Sequence, residues 1–164
     1  MLTVSASTKN KQPLVIANLL TTDGSDGVSE VITEQGEGYV SGVASGKKFA
    51  FSTMPGKIYQ TAGRETDAAA ITWSDDRDFV ALATSFNNQS ASRSLSSTEI
   101  LTFEWSANGI KYAVSKTAKL IISSSSKPKT VLLNGKAISN FTFDSVKKQV
   151  SIQIPAGEGG IKIN

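Results

Sequence analysis

The chain has 164 residues, 39% of them hydrophobic and 19% charged, which suits one domain with a packed core and excludes a disordered chain. It contains no cysteine and no histidine, so disulfides, thiolate metal sites, a Ser-His-Asp triad, a Cys-His pair and an HExxH zinc site are all excluded. The net charge of +3 is uneven: residues 1–110 hold 8 Lys/Arg and 12 Asp/Glu, whereas residues 111–164 hold 9 Lys and only 2 acids, Asp144 and Glu158.

Few segments show the i, i+3, i+4 spacing of an amphipathic helix. Short apolar runs separated by Gly, Ser, Asn and Asp predict an antiparallel β-sandwich of about a dozen short strands. Residues 13–20, Pro-Leu-Val-Ile-Ala-Asn-Leu-Leu, are apolar enough for a central strand, and 23–27, Asp-Gly-Ser-Asp-Gly, form a turn. A strand at 28–33 and a turn at 36–38 follow. Residues 39–44 pair with 48–54, 57–62 form a short strand, and 63–67 read as a loop. Residues 69–73 and 78–86 form a hairpin in which Ile71 faces Val80 and Ala69 faces Leu82. Residues 87–98 are polar and read as the longest loop of the chain.

A second hairpin, 99–105 with 110–115, has a register fixed by its apolar face. Trp105 opposes Ile110, Phe103 opposes Tyr112, Leu101 opposes Val114, and Glu104 then opposes Lys111 on the outer face. Residues 119–123 make the next strand. Asn134-Gly135 between two apolar runs marks a type I′ turn, which needs φ > 0 at both central residues. Val150, Ile152 and Ile154 alternate with Ser151 and Gln153, so one face of this strand is buried.

Several residues are candidates for binding. Trp73 and Tyr59 are the aromatics expected at the surface, where a ring can stack on the C–H face of a sugar. Trp105, Phe103 and Tyr112 are expected in the core. Arg64, Arg77 and Arg93 lie in expected loops and would form an anion-binding rim if those loops cluster. Lys129, Lys136, Lys147 and Lys148 belong to the cationic last third, which suits an anionic partner; the plainer reading is a solvated, edge-protecting face. Asp75, Asp76 and Asp78 surround a turn and are expected to point into solvent, where nothing raises a carboxyl pKa. Asp23 and Asp26 resemble a fragment of a calcium loop, although turn chemistry accounts for them equally well and no cofactor is otherwise expected. No recognition helix, RRM signature or zinc finger accompanies the basic residues, so nucleic acid is not an expected partner. No run reaches the roughly 18 apolar residues of a membrane helix, so no membrane partner is expected either.

The strings Thr-Val-Leu-Leu-Asn-Gly-Lys (130–136), Phe-Asp (143–144) and Val-Ser-Ile-Gln-Ile-Pro-Ala-Gly-Glu-Gly (150–159) resemble the end of a bacterial polysaccharide lyase. Specifically, they are similar to the C-terminal β-sandwich of the heparinase II/III-type and related alginate lyases. Residues 71–85 are similar to the same β-regions. In that family the catalytic Tyr, His and Asn/Arg residues lie mainly in an α/α-toroid, which a helix-free chain without histidine does not provide. The resemblance therefore implies no catalytic residue. It implies an accessory module of a secreted enzyme, with an acidic polysaccharide such as alginate and the parent's catalytic domain as partners. The expectation is a single β-sandwich domain over 1–164, excised from a larger multidomain enzyme. Two further readings stand beside it: a structural domain packed against a catalytic toroid, and a carboxylate-based glycan-active enzyme.

Overall fold

The computed structural model describes residues 31–44, 47–54 and 56–164. The expected strand at 13–20 and the turn carrying Asp23 and Asp26 lie outside the described residues. Among the described residues fifteen strands follow in chain order. They are β1 Val31–Gly36, β2 Tyr39–Ala44, β3 Lys47–Ser52, β4 Tyr59–Thr61 and β5 Arg64–Thr66. Next come β6 Ala70–Trp73, β7 Asp78–Asn88, β8 Arg93–Ser106, β9 Gly109–Val114 and β10 Ala118–Ser123. The last five are β11 Val131–Leu133, β12 Lys136–Ile138, β13 Thr142–Asp144, β14 Gln149–Ile154 and β15 Gly157–Ile163. The described residues form no helix, and every pairing is antiparallel.

Two strands make this a sandwich. β7 and β8 are long enough to serve both leaves, and their pairing shifts register between Val80 and Ala83 and again between Ala83 and Ser85. Such bulges bend a strand and strengthen its twist. At the bend Leu82 takes φ 54°, is 60% exposed, and donates its N–H to Thr102 Oγ1 at 3.2 Å. On one side of the bend, the first half of β7 and the second half of β8 complete a leaf ordered β1-β2-β3-β6-β7-β8-β9-β15-β11-β12. On the other side, the remaining halves complete a leaf ordered β4-β5-β7-β8-β10-β14-β13.

The pairings place apolar side chains in rows across each inner face. Ala50, Ile71, Val80, Phe103 and Tyr112 are successive partners in the first leaf, and all are buried. Phe86, Leu95, Ile122 and Val150 are successive partners in the second and are also buried. The two rows meet where Phe86 packs edge-on against Phe103, with ring centroids 5.6 Å apart. At 1.5–3 kcal/mol per buried large apolar side chain, these rows supply much of what holds the leaves together.

The 99–115 hairpin has all four expected pairs in register. Asn134 and Gly135 have φ 53° and 76°, as a type I′ turn requires. Asn134 does more than turn the chain, since its Oδ1 accepts the Gly160 N–H at 2.8 Å and so ties the turn to β15. Val150, Ile152 and Ile154 are buried as expected.

Three expectations are corrected. Residues 87–98 are not a loop: β7 runs to Asn88, the chain turns at 89–92, and β8 begins at Arg93, with Leu95 buried. Residues 64–66 are strand β5 rather than loop. Ala69 does not oppose Leu82; its N–H donates to the Ala81 carbonyl at 3.0 Å, because the bulge turns Leu82 out of the ladder. The last third of the chain is divided between the two leaves. β11, β12 and β15 finish the first leaf, whereas β13 and β14 finish the second.

Candidate functional site

Because β7 doubles back at its bulge, its two ends meet at one end of the sandwich. Asp78 lies in the inner-facing row Trp73, Asp78, Trp105 of the first leaf. Asn88 lies in the inner-facing row Arg64, Asn88, Arg93 of the second. The rows face each other member by member. The Arg64 guanidinium sits over the Trp73 ring at 4.9 Å, Asn88 Nδ2 donates to Asp78 Oδ2 at 3.1 Å, and the Arg93 guanidinium sits over Trp105 at 5.8 Å. The last interior layer is thus polar where the layers beneath it are apolar.

Asp78 is the centre of this clasp. Its side chain is 2% exposed. Oδ1 accepts Arg64 Nε at 2.7 Å, and Oδ2 accepts Arg93 Nη1 at 3.3 Å. Arg64 Nη1 also donates to the Ala62 carbonyl at 3.1 Å, and Asn88 Oδ1 accepts the Ala91 N–H at 3.1 Å, which fixes the 89–92 turn. Buried charge is tolerated only when paired and hydrogen-bonded in this way. Asp78 therefore does not point into solvent as the turn position implied, and two guanidiniums share its single carboxylate.

The candidate residues fall as follows. Tyr59 is not a surface platform: it is 3% exposed, packed on Tyr39 at 5.4 Å between ring centroids, with its hydroxyl unpartnered among the described residues. Burial, followed by the charge of Asp67, pushes its phenol pKa well above the ordinary value. Trp73 is not an open platform either, since it is 9% exposed and the Arg64 guanidinium covers its face. Arg64 and Arg93 are inward-facing strand residues rather than members of a loop rim. Arg77 does lie in a turn, exposed, with Nη1 3.7 Å from Glu104 Oε2. Trp105 is half-buried against the core cluster.

The strand pairings and turns bring several exposed lysines to this same end. Lys48 pairs with Trp73 at the start of β3. Lys129 donates its N–H to the Asn164 carbonyl at 2.8 Å in the link that enters β11. Lys147 and Lys148 occupy the turn between β13 and β14, and that turn is tied in by Ser124 N–H donating to the Lys148 carbonyl at 2.9 Å. Ser123, beside it, donates its hydroxyl to the Ser92 carbonyl at 3.1 Å, within the β7–β8 turn. Asp144 Oδ1 caps the lysine turn by accepting the Lys147 and Val146 N–H groups at 2.9 Å each, which lowers its carboxyl pKa. Lys136 stands apart on edge strand β12. Lys116 and Lys119 lie at the opposite end, around the β9–β10 connection.

A cavity of about 340 Å³ opens beside the clasp, lined by Lys48, Ala62, Arg64, Trp73, Ser74, Asp75, Asn88, Ser90 and Ala91. A second, of about 260 Å³, shares Ala62 and Arg64 and adds Gln60, Gly63 and Gln89 among others. Among the described residues no group of three or more acidic side chains is placed to hold a metal ion. No protein-family model matches the chain, and no curated protein matches it.

Nothing in the sequence marked Asp78 and Asn88 as partners, because they are ten positions apart on one strand. The one available signal was that β7 begins on Asp78 and ends on Asn87 and Asn88, polar residues at both ends of the strand.

Proposed function

We propose that the domain is a non-catalytic module that binds an acidic polysaccharide such as alginate through its clasp end and keeps a secreted polysaccharide-degrading enzyme on its substrate. The observation that carries this reading is the gathering of Lys48, Lys129, Lys147 and Lys148 at the end already holding Arg64, Arg77 and Arg93. Cations concentrated at one end attract an extended polyanion over roughly 8–10 Å at physiological salt. Binding of this kind is modest in affinity and sensitive to ionic strength. It requires no aromatic platform, which suits the covered Trp73.

Asp78 supports a non-catalytic role, because its oxygens are taken up by Arg64, Arg93 and Asn88. A general acid or base needs a carboxyl within reach of substrate.

Affinity electrophoresis tests the reading directly. Migration should be retarded in gels containing alginate or pectate and normal in a neutral glucan gel. Equal mobility in all three rules the reading out.

A second reading has its own observation. Phe79, Leu82 and Ile100 are 40%, 60% and 58% exposed on the β7–β8 hairpin. Exposed apolar groups of this size favour packing against another domain, such as a catalytic toroid of the parent enzyme. The two readings use different parts of the molecule and can hold together.

A further inference from the structure

We propose that the cavity of about 260 Å³ at the β4–β5 turn is a binding site for one uncharged sugar residue, a pyranose at a chain end or on a side branch. The cavity opens where two turns meet. Ala62 and Gly63 connect β4 to β5 with φ 44° and 74°, as a type I′ turn requires, and the Gly63 carbonyl accepts the Gln89 N–H of the β7–β8 turn at 3.1 Å. Tyr39, from the first leaf, lines a further side. Charge narrows the ligand. The charged side chains on the wall are Arg64 and Glu65. Arg64 is paired with Asp78, so the site is neutral or negative and offers an anion no net attraction. A cation would meet the Arg64 guanidinium on the same wall. An uncharged ligand meets neither repulsion and brings no charge to be desolvated.

The polar groups suit a polyhydroxyl compound. Gln60 Nε2 donates to Glu65 Oε2 at 2.6 Å across β4 and β5, and this bond holds both side chains in place. Among the described residues, Gln60 Oε1 and Glu65 Oε1 have no donor, Arg64 Nη2 has no acceptor, and the Gln89 amide has neither. Acceptors and donors therefore share one wall, and each sugar hydroxyl both donates and accepts. Arg64 is itself held by Asp78, by the Ala62 carbonyl and by the Trp73 ring. Tyr39 supplies the apolar element. Its half-buried ring is fixed by stacking on Tyr59, with centroids 5.4 Å apart, and an aromatic ring at the wall suits the C–H groups of a pyranose. Small-molecule sites combine apolar surface with a few fixed polar groups in this way.

The site goes beyond the polyanion reading, which rests on exposed lysines, since none of those lysines lines this cavity. Set between two turns, it takes one residue, so the inner residues of a long glucan are not its ligands. The test is an NMR titration of the full chain, at fixed ionic strength, with the methyl glycosides of glucose, galactose, mannose and glucuronate. Saturable shifts are expected at the Gly63 N–H and at the side-chain amides of Gln60 and Gln89 with at least one neutral glycoside; which of them saturates names the sugar. The glucuronate glycoside should bind more weakly. Gln89 is exposed in a turn, so Gln89→Ala should leave the rest of the spectrum in place and weaken the neutral glycoside roughly threefold to tenfold, as the loss of one or two hydrogen bonds implies. Glu65→Gln should keep the neutral glycoside and admit the glucuronate one more readily, because it removes the repelling charge. Absence of saturable shifts with all three neutral glycosides overturns the proposal, as does undiminished affinity in Gln89→Ala or equal binding of the glucuronate glycoside by the wild type. Alginate retention without these shifts would sink the sugar site alone, and shifts without retention would sink the polyanion reading alone.

Discussion

At the scale of single residues, Asp78 and Tyr59 make opposite contributions. Asp78 is a buried carboxylate that offsets two guanidiniums, so truncating it leaves both unpaired. Removing one member of a buried ion pair typically costs about 3–5 kcal/mol. Asp78→Ala should therefore lower the urea midpoint by that equivalent, and a shift under 1 kcal/mol would show that the clasp is not stabilising. Tyr59 buries a hydroxyl with no acceptor among the described residues. Such a group costs roughly 1–3 kcal/mol, so Tyr59→Phe should leave stability at pH 7 unchanged or raised. Its pH dependence has a definite sign. The folded state holds the Tyr59 phenol neutral above its ordinary pKa, and Tyr112 is shifted the same way by burial. Their contribution is complete below the unfolded tyrosine pKa of about 10 and is lost as pH rises through the folded values. Alkaline unfolding should start above about pH 10, and Tyr59→Phe should lose less stability there than the wild type.

At the scale of elements, the β7–β8 hairpin decides the architecture, and its bulge decides the hairpin. Leu82 holds a left-handed backbone that costs a non-glycine residue roughly 1–2 kcal/mol, and its exposed side chain recovers little of this. Leu82→Gly should be neutral or stabilising, and Leu82→Val destabilising by about 1 kcal/mol, since a β-branched side chain tolerates that conformation worst. Equal midpoints for the two variants would show that the bulge is not strained. The same element shows what sequence could and could not reveal. The 99–115 register was legible because a one-residue slip would expose Phe103 and Tyr112 together. The strands at 93–98 were not, because Ser94, Ser96, Ser97 and Thr98 look like turn residues. Here they sit on a strand, with Ser97 and Thr98 bonding through their hydroxyls to the Glu99 and Lys119 N–H groups. Arg64 and Arg93, expected with Arg77 on a rim of loops, were not legible as inward-facing strand residues. Their direction depends on the bend in β7, which no local pattern encodes.

At the scale of the whole molecule, the fold concentrates charge that the sequence scatters. Lys48 and Lys148 are a hundred positions apart, yet strand pairing carries both to the clasp end. Part of the cationic last third therefore lies at the same end as arginines from the middle of the chain, while Lys116 and Lys119 remain at the other end. This arrangement makes the location of binding testable as well as its existence. The most direct measurement compares alginate affinity, by calorimetry at low and at physiological salt, for two charge-reversed proteins. One carries Lys147→Glu and Lys148→Glu at the clasp end, and the other carries Lys116→Glu and Lys119→Glu at the far end. All four lysines are exposed, so both proteins should fold. The clasp-end protein should lose at least tenfold in affinity, with the far-end protein within about threefold of wild type and the difference shrinking as salt rises. Equal losses in the two proteins, or a larger loss in the far-end one, would contradict the account.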